Sequence, residues 1–214
     1  MNGYLKWATP VFLVWMGASA AFAGPTTAPA TSFYISTFGG LSAPIDPQFD
    51  DPAQSGELGT EMGFAGGISL GTRLSDQLRA EIELAIQEND VVHVKIDGAG
   101  TFPLNGDITV FTSMLKLAYD FELGSWKPYL AAGVGMANYQ MSLEAPASGS
   151  DQKTVLAGEI EGGMTIPLTD RLDLFTSTRL LVLRSFYLDP TGMGGAELQN
   201  PLLLSSSIGL RIGF

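Results

Sequence analysis

Arg79, Glu81 and Glu83 fall at alternate positions of the segment Leu78–Gln87, with alanine, isoleucine and leucine between and after them. Other segments repeat the arrangement with Arg73, Lys116, Asp120, Glu159, Glu161, Asp173, Arg179 and Arg211. Alternate residues of an extended chain share one face, so these five cations and six anions are expected to turn toward one interior. Two chemistries suit such a set. A file of ionisable groups can carry protons or ions, or the same groups can pair and fill a polar core. Pairing is what burial demands, because an isolated charge in a low-dielectric interior is strongly penalised. A paired polar core is therefore the expected role.

A second concentration of chemistry lies between the alternating segments. The stretches Leu41–Thr60, Glu88–Asp107, Ser142–Lys153 and Arg184–Asn200 hold Asp46, Asp50, Asp51, Glu57, Glu88, Asp90, Asp97, Asp107, Glu144, Asp151, Asp189 and Glu197. Only Lys95, Lys153 and Arg184 oppose them. Crowded carboxylates can hold Ca²⁺ or Mg²⁺ through oxygen, and Asp46, Asp50 and Asp51 are best placed for it. No EF-hand spacing accompanies them, and acidic loops that are simply solvated read the same way. Acyl hydrolysis would pass through His93, the sole histidine, as base beside a serine nucleophile. Val91-Val92-His93-Val94-Lys95 carries no serine, and neither a G-x-S-x-G nor a phosphate-loop pattern occurs. The expectation is a protein that is not an enzyme, with no catalytic residues, no metal residues and no cofactor.

These groups must be positioned by a chain of 214 residues with no cysteine. That excludes a disulfide framework, a thiolate metal site and a lipidated N-terminal cysteine. Residues 1–23 read as a signal peptide: Lys6, then the apolar run Val11–Ala20, then Ala21-Phe22-Ala23 before Gly24. Its removal leaves ten cations against 22 acidic residues, a surface that repels nucleic acid. Charged residues make up only 15% of the chain and mean hydropathy is +0.20, yet no later stretch has the apolar length of a spanning helix. Residues 24–214 are then expected to form one all-β domain, an eight-stranded antiparallel up-and-down transmembrane β-barrel. Lipid requires every backbone polar group to be paired internally, and closure of a sheet achieves this.

Period-two alternation supplies the strands. The runs are Phe33–Gly40, Phe64–Leu74, Leu78–Gln87, Phe111–Phe121, Pro128–Met141, Leu156–Ile166, Leu172–Val182 and Leu202–Phe214. Short connections at Ser75–Gln77, Glu122–Lys127 and Pro167–Arg171 alternate with the four long acidic ones. Outer-membrane barrels have this arrangement, with short periplasmic turns and long external loops. It places both termini at the periplasmic side. Tyr119, Phe121, Trp126 and Tyr129 at the turn side, and Phe38 and Tyr139 toward the loops, are expected to form interfacial girdles.

Two motifs carry a family resemblance. Ile208, Leu210, Ile212 and Phe214 are apolar at every second position of the last strand, and Pro128-Tyr129-Leu130-Ala131-Ala132-Gly133-Val134-Gly135 reads Pro-Tyr-x-x-x-Gly-x-Gly. In these the chain resembles the opacity-protein-like and OmpA-type eight-stranded outer-membrane barrels, over nearly all of residues 24–214. The resemblance implies an integral protein of the Gram-negative outer membrane, among lipid and lipopolysaccharide. It also implies that Ile208, Leu210, Ile212 and Phe214 are the signal read by the barrel-assembly machinery. The implied role is non-enzymatic, in envelope integrity or surface attachment, with divalent cations as candidate partners of the acidic loops. A narrow or gated channel and a lipid A acyl hydrolase are the alternatives.

Overall fold

A computed structural model of the protein describes residues 33–45, 48–51, 54–124, 126–144, 148–190 and 195–214. The signal segment 1–23 and Asp46 lie outside the described residues. Twelve strands follow in chain order: β1 (Phe33–Ile45), β2 (Gln48–Asp51), β3 (Gln54–Thr60), β4 (Gly63–Arg73), β5 (Leu78–Ile96), β6 (Gly100–Asp120), β7 (Lys127–Leu143), β8 (Gly149–Pro167), β9 (Leu172–Leu183), β10 (Phe186–Leu188), β11 (Ala196–Leu198) and β12 (Leu202–Gly213). Eight of them, β1, β4, β5, β6, β7, β8, β9 and β12, pair antiparallel around a closed ring. The ring shuts where β1 pairs β12, from Tyr34↔Gly213 to Ile45↔Leu202.

The four short strands are upper halves of ring strands. β3 precedes β4 along the same edge of β5, where Gly56↔Ile96 and Phe64↔Glu88 belong to successive ladders. Between them the Glu61 N–H donates to the Asp90 carbonyl at 2.9 Å, so the ladder continues across the break. In the same way β2 rises beyond β1 to pair β3, β10 rises beyond β9, and β11 comes down into β12. The β11–β12 break has a local cause. Asn200 takes a positive φ of 41° and Pro201 has no N–H to give a ladder.

The long connections are therefore not the loops expected from the sequence. β5 and β6 run to Ile96 and Gly100, and only a tight turn at 97–99 joins them, with Gly98 at φ 78°. β7 and β8 likewise reach Leu143 and Gly149. Spanning the bilayer takes roughly 9–11 residues, so strands of 19 and 21 residues stand well clear of it. One place in this upper wall is not laddered. The β8–β9 pairing ends with Arg184 N–H donating to the Leu156 carbonyl at 3.0 Å. Above it, just past the end of β10, Asp189 N–H donates to Asp151 Oδ2 on β8 at 2.9 Å.

The turns at the other end are short and capped by their own side chains. Ser75 Oγ accepts from Leu78 N–H at 3.0 Å, and Thr169 Oγ1 accepts from Leu172 N–H at 3.0 Å. Hydroxyl acceptance of a backbone donor two or three residues on is the usual way a serine or threonine tightens a turn.

Facing follows the alternation. Ile82, Leu84, Leu115, Leu117, Leu130, Val134, Ile160 and Ile208 are exposed on the outer surface, while Arg79, Glu83, Lys116 and Glu159 between them are buried. The interior has two storeys. Charges fill the turn-side half, and the upper half is an apolar core that includes Val91, Ile108, Val110, Tyr139, Leu181, Leu183, Phe186, Leu188 and Leu198. Tyr119, Phe121 and Trp126 are exposed on the outside near the turns, as an interfacial girdle requires. Tyr129, Tyr139 and Phe38 were expected in the girdles and are not. Tyr129 and Tyr139 are buried in the lumen, and Phe38 stacks there on the guanidinium of Arg179. Parity decides this: each shares an alternation face with buried neighbours, such as Ala131 for Tyr129 and Ser36 for Phe38.

Candidate functional site

The charged storey resolves into two clusters. Nearer the apolar core, Lys116 on β6 and Arg179 on β9 face Glu83, Glu159 and Glu161. Lys116 Nζ donates to Glu161 Oε2 at 2.5 Å and to Glu83 Oε2 at 2.9 Å, with Glu159 at 3.3 Å. Arg179 meets Glu83 at 2.7 Å, Glu161 at 3.0 Å and Glu159 at 3.5 Å. The Tyr129 hydroxyl adds a 2.6 Å hydrogen bond to Glu161. Glu159 is the outlier: both of its carboxylate oxygens are buried without a hydrogen bond. Three carboxylates thus share two cations.

Toward the turns, Arg79 holds Asp120 with two hydrogen bonds, at 2.7 and 3.0 Å, and also pairs with Glu81. Tyr34 donates to Glu81 at 2.7 Å. Arg73 reaches Asp120 at 3.7 Å, and Arg211 reaches Glu81 at 3.8 Å and Asp173 at 3.9 Å. Aromatic rings pack over the guanidinium groups, with Tyr129 at 5.2 Å from Arg79 and Tyr34 at 4.9 Å from Arg211. The structure thus brings all eleven residues of the sequence-derived set into the lumen. It adds Tyr34, Tyr129 and one further cation. Lys127 opens β7 and lines the turn-side mouth beside Asp173 and Arg211. By its sequence Lys127 belongs to the turn Glu122–Lys127, yet it shares parity with Tyr129. With Lys127 the lumen holds six cations and six anions.

Almost no space remains among these groups. One cavity of about 10 Å³ lies within the charged storey and another of about 20 Å³ at the mouth. A single water needs roughly 10–15 Å³. An eight-stranded ring is only wide enough for side chains to fill, and here they do.

The other candidate residues lie apart from the lumen. His93 packs its ring over Gly59 across the β3–β5 pairing. Among the described residues no three carboxylates or histidines converge as a metal site. Of the suggested cation ligands, Asp46 lies outside the described residues, and Asp50 and Asp51 stand on β2. Lys95 pairs with Glu57 at 3.0 Å and Lys153 with Asp151 at 3.5 Å. Ile208, Leu210, Ile212 and Phe214 form one exposed apolar row on the outside of the terminal strand.

A closed ring of antiparallel strands, aliphatic outside and charged within, is the architecture of an integral membrane barrel. The chain belongs to the outer membrane protein β-barrel domain family, whose sequence model matches residues 11–195. It is accordingly an integral protein of the Gram-negative outer membrane. Among solved structures it is similar in fold to Neisserial surface protein A, at 19% identity and TM-score 0.58 over 87% of this chain and 99% of that one. Similarity extends to the outer membrane protein OprG from Pseudomonas aeruginosa, at 14% identity and TM-score 0.56 over 86% and 98% of the two chains. The outer membrane protease OmpT from Escherichia coli shares the fold at 7% identity and TM-score 0.51, over 86% and 97%. No curated protein sequence matches significantly.

Proposed function

We propose that this protein is a closed, non-enzymatic barrel whose filled lumen makes it a rigid post for an acidic surface, serving envelope integrity or attachment. The observation that carries the reading is the lumen itself. Among the described residues, ion pairs occupy the turn-side half, apolar side chains occupy the upper half, and the cavities among the charged groups and at the mouth measure about 10 and 20 Å³. A solute path would need both storeys to open.

The upper wall supports the rest of the reading. Glu88, Asp90, Asp97, Asp107, Glu144 and Glu197 are exposed there, and two of its three cations are engaged by Glu57 and Asp151. Such a surface at the level of lipopolysaccharide phosphates attracts divalent cations, which bridge carboxylate and phosphate oxygens. The apolar row Ile208, Leu210, Ile212 and Phe214 serves the barrel-assembly machinery as the recognition signal. His93 takes no catalytic part.

The test compares cells lacking the protein, cells expressing it, and cells expressing a form with those six acids changed to Asn or Gln. Uptake of an apolar dye after chelation of divalent cations should rise in the first and third. Purified protein should give no conductance steps in a planar bilayer, and lipid A mass should not depend on its presence. Discrete steps would establish a channel instead, and a lost acyl chain that requires His93 would establish a hydrolase.

A further inference from the structure

Arg211 is the least well served of the fully buried lumen cations. Its Nη1 lies 3.5 Å from Thr165 Oγ1 and 3.9 Å from Asp173 Oδ2, and its Nη2 lies 3.8 Å from Glu81 Oε1. The buried Nε has no hydrogen-bond partner. Arg79, a few residues away in space, holds Asp120 at 2.7 and 3.0 Å. A guanidinium offers five N–H donors, and leaving them unserved in a buried site is costly. The side chain is not free to turn toward either carboxylate. Tyr34 at 4.9 Å and Phe175 at 5.2 Å both pack against its guanidinium.

Beside Arg211 lies the mouth cavity of about 20 Å³, whose wall includes Arg73, Lys127, Asp120, Asp173 and Thr165. Asp120 is already committed to Arg79. Three cations border the cavity against two carboxylates: Asp120, which Arg73 reaches only at 3.7 Å, and Asp173, which is 3.9 Å from Arg211. Counted as a whole, the turn-side cluster has Arg73, Arg79, Lys127 and Arg211 against Glu81, Asp120 and Asp173. It is one positive charge in surplus, while the cluster above it is one negative charge in surplus.

We propose that the turn-side mouth is a binding site for a monatomic anion of the chloride class, held between Arg211, Lys127 and Arg73. The cavity has room for one small ion somewhat larger than water. Charge separates the anion from a water molecule, since water brings no counter-charge to the three cations that line the space. Exposure permits entry, because Arg73 and Asp173 keep 24% and 20% of their side-chain surface open to solvent.

The test uses purified, folded protein in detergent micelles, unfolded by urea in sodium chloride or sodium gluconate at equal ionic strength. Chloride should raise the unfolding midpoint in a saturable manner, and gluconate should not. Lys127→Gln should weaken the half-saturating chloride concentration at least about tenfold; being partly exposed and outside the tight pairs, this variant keeps the fold. Arg211→Lys should abolish the effect. Crystals soaked in bromide should show an anomalous peak beside Arg211. Equal midpoints in both salts, or a peak-free cavity holding an ordered water only, would overturn the site.

Discussion

Glu159 and Glu161 stand two positions apart on β8 and face the same two cations, but their surroundings differ. Glu161 accepts from Lys116, Arg179 and Tyr129, whereas neither oxygen of Glu159 has a hydrogen bond. Removing one partner of a hydrogen-bonded buried pair strands the other charge and costs about 3–5 kcal/mol. Glu161→Gln should therefore lower stability by about that amount. Glu159→Gln leaves two carboxylates for two cations and should change stability by less than about 1 kcal/mol. Urea unfolding in micelles, followed by tryptophan fluorescence, measures both. Equal losses would mean that the cluster acts as an undivided pool of charge.

At the scale of elements, the ladders place glycine opposite each of four lumen aromatics. Tyr34 pairs with Gly71, Phe38 with Gly67, Tyr129 with Gly163 and Phe175 with Gly209. In each pair the ring occupies the space a Cβ on the glycine would take, with atoms at 2.2 to 2.6 Å from that point. Cross-strand packing of an aromatic over a glycine fixes register as well as filling volume. Gly163→Ala should push Tyr129 off Glu161 and cost about 1–3 kcal/mol. Gly158→Ala on the same strand meets nothing closer than 3.9 Å, so it should be neutral or stabilise by about 0.5–1 kcal/mol. Parallel unfolding curves settle the pair, and a harmless Gly163→Ala would remove the register argument.

The unladdered seam between β8 and β10 is also a property of elements, and it lies above the membrane-spanning part. The N–H of Asp189, then that of Gln152 and the charge of Lys153, hold the Asp151 carboxyl below its usual range. A carboxyl with a folded pKa below its unfolded value stabilises the structure above the unfolded value, near 3.9. That contribution disappears as pH falls through the lower folded value. Amide exchange at Asp189, corrected for intrinsic rate, should stay protected at about pH 5 and lose protection below about pH 4. Asp151→Ala, which removes the acceptor, should be unprotected at both. Protection that is indifferent to Asp151 would show that the seam is held by packing alone.

For the whole molecule, the last rung of closure is the Phe214 N–H donating to the Phe33 carbonyl at 3.0 Å. Deleting Phe214 removes one rung out of a complete ring and one exposed ring from the terminal apolar row. Refolding in micelles should survive that loss. In cells, if the terminal row is the proposed recognition signal, the folded, heat-modifiable fraction in the outer membrane should fall sharply. Unchanged yield and location in cells would rule out Phe214 as part of the assembly signal.

Much of this architecture is legible along the chain. Over Leu78–Leu84 of β5 and Glu159–Glu161 of β8, charged and aliphatic residues alternate, and a period of two permits only two facings. Lipid tolerates just one of them, so Glu81, Glu83, Glu159 and Glu161 had to turn inward. The upper storey is not legible in this way. In Leu180-Leu181-Val182-Leu183 both faces are apolar, so the pattern cannot tell the lumen residues Leu181 and Leu183 from their outward neighbours. Nor do the acidic, glycine-bearing stretches announce that they continue as strands, because their pairing depends on partners supplied across the ring, as β11 supplies one to β2. The lumen contacts are decided at the same level. Glu83 and Arg179 lie 96 residues apart in the chain and 2.7 Å apart at their closest atoms. Only closure of the ring, which sets β9 across the lumen from β5, makes them partners.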